Sequence, residues 1–511
     1  MPNKRVKKQG GKAADDSTRR DRAEVLYDGE CAMCSNLALR INETDAVDSL
    51  ATNDLRHARL PQGVTAEAVT RELHVIEADG RITRGADAVL RILEEYPRWR
   101  WLARIGSSRA AKPFTAMGYR FVATNRDHIF GPGARLFWSK EILLVALLAA
   151  IATAPMLWVS KRAYPVVPVL TVLPVLLEII ALAVMTFGAA AALVLPKPRG
   201  ALALLLGGAV VLALGDQTRW QPWFYQYTIM LSVLTAWSWR PNDLKASLEP
   251  LAALRVVMIG LYAWSGIQKL NATYLSGTFG WLVEPLGALL PATWVESLSV
   301  LGAASPAAEI AIAVGLLFPA TRPWATAAAV ALHAFILAML GPWAHNWNSI
   351  VWPWNGAMIA LVVVLFASDR DTRPAAILGT PISVGRAVAI AAFIVLPALS
   401  LVDRWDPYLS SSLYSRNLRH AAIRLRSDAR QALPADLQPY ADDEDVLWPM
   451  TWALDALNVP AYPAVRVYKG LARAVCRQLP DPTGLILGIS SKPEILTGEF
   501  TVTDYHCEDL Q

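Results

Sequence analysis

The sequence predicts an α/β domain at the N-terminal end, a polytopic α-helical membrane bundle of about nine spans, and a small α+β domain at the C-terminal end. Three observations carry that reading. Apolar residues make up 54% of the 511, and 19 residues are tryptophan, a side chain favoured at membrane interfaces. The apolar runs are confined between about Glu141 and Val402. The polar ends hold the four cysteines as two pairs, Cys31 with Cys34 and Cys476 with Cys507. The expected divisions are a basic arm over 1–23, an α/β domain over 24–135, the bundle over 136–403 and the C-terminal domain over 404–511.

The arm carries Lys4, Arg5, Lys7, Lys8, Lys12, Arg19, Arg20 and Arg22 against Asp15, Asp16 and Asp21. That is the composition of a solvated, disordered segment, or of one drawn to anionic lipid. No apolar segment follows it at signal-peptide distance, so this end is expected to stay in the cytoplasm. A net charge of +5 over the whole chain gives no support to a nucleic-acid partner.

In the front domain, Glu24 to Tyr27 (E-V-L-Y) predicts a strand and Ser35 to Ile41 predicts a helix. Between them lie Cys31 and Cys34. A C-x-x-C at a helix start after a strand predicts a thioredoxin-like redox site. There the free N–H groups and the helix dipole favour a Cys31 thiolate, and Cys34 stands one turn on, able to close a disulfide. Zinc would need two more ligands, and His57 and His74 lack paired spacing. Two inert thiols are the remaining alternative. Leu73 to Ala78 predicts a second strand, Asp79-Gly80 a turn, Arg81 to Arg84 the returning strand, and the run from Gly85 to Tyr96 an amphipathic helix.

From Val25 to about Ile129 the chain resembles the DCC family of thiol–disulfide oxidoreductases. The D-x-x-C-x-x-C motif stands here as Asp28, Cys31 and Cys34, and E-A-D-G-R-I-T-R-G-A-D-A-V-L and G-Y-R-F-V-A-T-N-R follow. The resemblance implies a thioredoxin-like fold and dithiol–disulfide exchange. Asp28 would tune thiol acidity or accept a proton; equally, it is a turn residue before Gly29.

Nine apolar segments follow, at roughly 141–159, 166–195, 200–215, 222–239, 251–270, 305–318, 322–340, 350–367 and 385–402. The second is long enough to tilt or kink at Pro168 or Pro174. Placing the N-terminus inside puts Lys197, Arg199, Arg240, Lys245, Arg255, Arg322, Arg370, Arg373 and Arg386 on inner loops, against Lys161, Arg162, Arg219 and Lys269 outside. This bias predicts a cytoplasmic N-terminus, in a bacterial inner membrane, and an extracytoplasmic tail. Cys476 and Cys507 would then meet an oxidising compartment and are candidates for a structural disulfide. P-A-V-R-V-Y-K-G-L-A-R-A-V-C predicts a strand with a turn or short helix, and G-E-F-T-V-T-D-Y-H-C a strand.

Within the bundle, Lys269 is expected near the outer interface, as a snorkelling side chain or as a base in an apolar pocket. The stretch Tyr262 to Gly277 is similar to a segment of vitamin K-dependent γ-carboxylases and HTTM membrane proteins, A-G-x-x-K-L-x-x-x-W-x-x-G. Gly266, Lys269, Leu270 and Gly277 match, while Ser265 and Tyr274 depart from it. The resemblance implies that Lys269 is a base, in a pocket able to hold a quinone-like molecule. His333 lies inside an apolar span and is a functional candidate. His345, Asn346, Asn348 and Asn355, set among tryptophans, are expected to form an interfacial belt. Glu309 is expected near a helix N-terminus, and Glu178 deeper. The run D-Q-T-R-W-Q-P-W-F-Y-Q-Y from Asp216 is expected to line a pocket mouth or anchor a helix.

The expected function is membrane-anchored thiol–disulfide exchange on a protein or small-molecule disulfide or thiol, with a quinone as a possible electron partner. The alternatives are a quinol-linked, carboxylase- or epoxidase-like enzyme with Lys269 as base, or a transporter or scaffold with a redox-sensing domain.

Overall fold

A computed structural model describes residues 22–510, except 30, 44–48, 59, 63, 131–132, 171, 238, 240–242, 370 and 381. Residues 1–21 of the basic arm, with Arg240 and Arg370, lie outside the described residues. The chain divides into two compact units: one ends at Ala134, and the other comprises 135–240 and 244–511.

The front unit is built on a four-stranded sheet of order β2-β1-β3-β4, with β1 Ala23–Tyr27, β2 Leu50–Asp54, β3 His74–Ile76 and β4 Ile82–Arg84. β1 runs parallel to β2 and antiparallel to β3. Val25 and Leu26 of β1 are both fully enclosed, so this central strand is covered on both faces. The predicted strands and turn are present, the first one residue longer and the other two shorter than expected, and Gly80 takes φ +83° at the turn. β2 was not expected. In L-A-T-N-D only Leu50 is a strong apolar residue, and the strand is held by its five-residue register with β1.

Among the described residues, five helices complete this unit: α1 Ala32–Glu43, α2 Ala66–Arg71, α3 Gly85–Glu94, α4 Arg100–Gly106 and α5 Lys112–Phe130. α1 extends beyond the predicted Ser35–Ile41 at both ends. α3 buries Ala88, Leu90 and Ile92, as its periodicity predicts. α5 packs on α1 and α3.

The second unit holds six helices that are, among the described residues, long and apolar enough to cross a membrane: Ala134–Thr153, Val175–Val194, Leu244–Gln268, Ala292–Leu317, Arg322–Leu340 and Val384–Val402. Three further predicted spans correspond to the shorter helices Arg199–Gly215, Pro222–Ala236 and Val351–Ala367. At about 1.5 Å per residue these reach roughly 23–26 Å, short of a ~30 Å hydrocarbon core. The second predicted span is corrected: no kinked helix covers 166–195. Pro174 caps the helix that begins at Val175, and the preceding segment is a short 3₁₀ turn and irregular chain, because Pro165 and Pro168 cannot continue a helix. The sixth begins earlier than Ser305, at Ala292.

Two glycines bring one pair of neighbouring helices close together. A Cβ on Gly188 would stand 2.7 Å from the Ala201 carbonyl oxygen, and one on Gly208 would stand 2.5 Å from that of Ala181. Helices Val175–Val194 and Arg199–Gly215 meet backbone to backbone there.

Residues from 404 onward belong to the same compact unit as these helices. They form an antiparallel sheet, β6-β5-β7-β8, from β5 Ala421–Leu425, β6 Val446–Leu447, β7 Leu485–Ser490 and β8 Val502–His506. The segment expected as strand and turn is instead the helix Val465–Cys476. Its apolar residues Val467, Tyr468, Leu471, Ala472 and Val475 recur at helical spacing and are buried. Cys476 and Cys507 are joined in a disulfide, Cα–Cα 5.9 Å.

Candidate functional site

Cys31 occupies the position just before α1. Its N–H donates to the Asp28 carbonyl (3.1 Å), closing a tight turn out of β1, and its own carbonyl accepts the first helical N–H, from Ser35 (2.9 Å). Its sulfur accepts the N–H of Cys34 at 3.4 Å. The thiol therefore caps the helix as a serine or aspartate would, and a thiolate caps it better.

The electrostatics divide the pair. The hydrogen bond from the Cys34 side chain, the Cys34 N–H and the nearby Arg126 guanidinium together outweigh burial and lower the Cys31 thiol to about 6. The hydrogen bond to Cys31 and burial raise Cys34. At pH 7 the first is mainly thiolate, while the second keeps its proton. Both side chains are nearly closed to solvent, at 5% and 8% exposure.

Arg126 is the residue that sequence reasoning missed. It lies on α5, far along the chain, where it donates to the Thr70 carbonyl (2.5 Å) and stands 3.8 Å from the Asp28 carboxylate. Asp28 thus serves as turn residue through its carbonyl and as charge partner of Arg126 through its side chain. Tyr119, two helical turns earlier on α5, accepts the Leu73 N–H at 2.8 Å. A largely apolar chamber of about 390 Å³ opens against Cys34, with Asp28, Tyr119 and Arg126 in its wall. Among the described residues no three His, Cys, Asp or Glu side chains gather in a way that would hold a metal ion; His74 is buried in β3, and His57 is exposed near Asp54.

The second unit holds a separate cluster. Lys269 does not snorkel. It sits just past the helix Leu244–Gln268, and its ammonium donates to both oxygens of Glu309 (2.7 and 2.8 Å) and to Ser265 Oγ (2.7 Å). Glu309 is therefore the partner of a buried cation, beyond any role at a helix end. His333 shares a 2.8 Å bond with Tyr262 Oη through Nε2 and a 2.7 Å bond with Asn355 Oδ1 through Nδ1. The Asn355 amide nitrogen donates to the Val351 carbonyl (2.8 Å). This fixes Oδ1 as the acceptor and Nδ1 as the nitrogen that carries a hydrogen. Asn355 is thus a buried helical residue, not part of an interfacial belt. His345 stacks on Trp281 and bonds its carbonyl.

Tyr262, Lys269, Glu309, His333 and Asn355 line one cavity of about 90 Å³. Leu409, Ser411 and Tyr414 also line it, so the start of the tail forms part of its wall. That segment is strained: Asp403, Ser411, Tyr414 and Arg416 all take φ between 56° and 59°. Glu178, by contrast, is held by Arg219 and by the N–H and hydroxyl of Ser160. Asp216 pairs with Arg162, accepts the Val167 N–H (3.1 Å) and caps Thr218 (3.0 Å). The polar–aromatic run from Asp216 therefore anchors the irregular chain before Val175.

The family model for DCC1-like thiol-disulfide oxidoreductases matches residues 25–132. No curated protein and no solved structure matched the chain.

Proposed function

We propose that the chain is a membrane-anchored thiol–disulfide oxidoreductase whose exchange runs through Cys31 and Cys34. The observation that carries this reading is the placement of the pair at the head of α1, where the Cys31 sulfur accepts the Cys34 N–H at 3.4 Å, an arrangement that lowers the first thiol and raises its neighbour. The Cys31 thiolate attacks a disulfide sulfur and forms a mixed disulfide, and the first substrate sulfur leaves and is protonated. Cys34 then loses its proton, attacks Cys31 Sγ and closes the internal disulfide, releasing the second substrate thiol. Asp28, in the wall of the chamber that Cys34 lines, accepts that proton. The substrate is a protein or small-molecule disulfide, and the same steps reversed oxidise a dithiol. The N-terminal unit faces the cytoplasm and the tail the opposite side.

The test is trapping. Cys34→Ser should accumulate a mixed disulfide on Cys31, and Cys31→Ser should form none. Exchange at the wild-type rate in Cys31→Ser would sink the proposal.

A second reading is favoured by the Lys269–Glu309 and Tyr262–His333–Asn355 groups converging on one cavity among the apolar helices, where ionisable side chains are costly unless they are used. In it, Lys269 first passes a proton to Glu309 and, as the neutral amine, takes one from a quinol-like molecule. The cavity is smaller than the ~150 Å³ that admits benzene in an engineered core, so a ring enters only if the walls move. Tryptophan quenching by a short-chain quinone should weaken in Lys269→Ala; identical titrations would remove this reading.

A further inference from the structure

The tail turns most of its large apolar side chains inward, with one local exception. Among its described residues five are exposed, and four of these, Ile495, Leu496, Phe500 and Val502, stand on the hairpin that joins β7 to β8; Trp448 is the fifth. Leu496, at the tip, is 89% exposed. The tip is a built turn. The Ser491 N–H donates to the Thr501 carbonyl (2.7 Å), the Glu494 N–H to that of Glu499 (2.8 Å), and the Gly498 N–H back to that of Glu494 (2.9 Å). A hydrogen-bonded loop therefore holds leucine and isoleucine outward, where water disfavours them.

The position of the hairpin supplies a reason. Helices Leu244–Gln268 and Val384–Val402 run side by side in the same direction. Glu249 accepts the Ser383 N–H (3.2 Å), the Trp264 indole donates to the Ile394 carbonyl (3.0 Å), and the Gln268 amide donates to Ser400 Oγ (2.7 Å). Both helices are long and apolar enough to cross a membrane, so their last residues mark the same bilayer surface. The hairpin is tied to both ends. The Ile495 carbonyl accepts the Ala272 N–H (2.8 Å), just beyond Gln268. Lys492 pairs with Asp403 (2.9 Å) and donates to the Ser400 carbonyl. Leu270 and Leu275, on either side of Ala272 in the chain, are themselves partly exposed. The apolar tip thus stands at the level where two spans leave the bilayer.

We infer that the β7–β8 hairpin is an interfacial membrane anchor: Ile495, Leu496 and Phe500 enter the leaflet on the tail's side and seat the C-terminal sheet on lipid. The force is apolar burial. Glu494 and Glu499 are the acids of the hairpin, and its one lysine is committed to Asp403, so attraction to anionic headgroups has no part in it. The inference rests on reading the two helices as spans and is independent of exchange at Cys31.

The test uses the full-length protein at one copy per phosphatidylcholine nanodisc. Cys31→Ser and Cys34→Ser remove the free thiols, so that one introduced cysteine carries an environment-sensitive nitrobenzoxadiazole label. At Leu496→Cys the emission should shift to the blue, and nitroxide-bearing lipid should quench it at least about threefold more than at Glu444→Cys, an exposed position before β6 at the far edge of the sheet. Added phosphatidylglycerol should leave the difference unchanged. Phe500→Asp, at an exposed site, should keep Tm and the Cys476–Cys507 disulfide while weakening the quenching at position 496. Equal quenching at the two positions, a requirement for phosphatidylglycerol, or shielding of position 496 only when two copies share a disc overturns the inference, the last by making the tip a contact between copies. Release of the wild-type protein from membranes by alkaline carbonate would instead remove the spans, and the anchor with them.

Discussion

A helix end, a neighbouring thiol and one guanidinium set the acidity of Cys31. Alkylation of the reduced protein by iodoacetamide should therefore rise through about pH 6 and level off above pH 7. Arg126→Gln removes a cation that favours the thiolate, so its midpoint should move up; an unmoved midpoint would show that Arg126 has no electrostatic part in the site. Stability follows the same linkage. Between about pH 6 and the ordinary thiol value of 9.0, the unfolded chain binds a proton at Cys31 that the folded chain does not. The reduced front unit should thus gain stability as pH rises across this window and lose it as pH falls through 6. Urea unfolding of the reduced form against a Cys31→Ser variant measures the difference. The two cysteines were legible in sequence because the motif is local. Arg126 was not: it closes the stretch G-Y-R-F-V-A-T-N-R, but nothing local ties that stretch to the thiols, and only the packing of α5 on α1 brings it to them.

Whole elements depend on a few backbone positions. Gly85 opens α3 at φ +60°, with Glu72 Oε2 2.9 Å and Tyr119 3.3 Å from where a Cβ would stand. Gly85→Ala should cost on the order of 1 kcal/mol or more, through backbone strain and contact together, seen as a lower Tm with Cys31 alkylation retained. In the second unit, Gly208→Val should separate Val175–Val194 from Arg199–Gly215, because the added atoms would meet the Ala181 carbonyl. The Cys476–Cys507 bridge spans 31 positions, so replacing both cysteines by serine should cost about 3–4 kcal/mol on the chain-entropy account without altering exchange at Cys31. Strand β2 and the helix Val465–Cys476 show where local patterning fails. The first is polar and exists through pairing with β1; the second is rich in strand-forming valine and tyrosine, but its apolar residues follow the helical period.

At the scale of the molecule, the second unit commits buried charge to pairs. Lys269→Ala alone should leave Glu309 unpaired in an apolar setting and cost about 3–5 kcal/mol, whereas Lys269→Met with Glu309→Leu should cost much less if the pair is only structural. Loss of quinone binding in the folded double variant would instead mark the pair as functional. Burial also changes the charge bias. Arg162, Arg219, Arg255, Arg322 and Arg386 are all held in ion pairs with Asp216, Glu178, Asp369 or Glu249, so only part of the counted charge lies free at a membrane surface. Sidedness then turns on parity. Six or eight crossings return the tail to the side of the N-terminus, and nine place it opposite. The Cys476–Cys507 disulfide favours the oxidising side. A membrane-impermeant protease added to intact cells should cut the tail and spare the front unit; the reverse pattern, or protection of both, would overturn the nine-crossing topology.

The sequence by itself determined what depends on neighbours along the chain: the strand before the thiols, the helix after them, the C-x-x-C spacing and most of the apolar segments. These follow from periodicity and composition, which act over one or two turns. Tertiary structure alone decided what depends on distant partners. It brought Arg126 to the thiols, opened a chamber against Cys34, joined Lys269 to Glu309 and His333 to Asn355, and laid the start of the tail along the same cavity. The reason is physical: a charge or polar group that leaves water must find a partner, and that partner is chosen by packing in three dimensions, where separation along the chain carries no information.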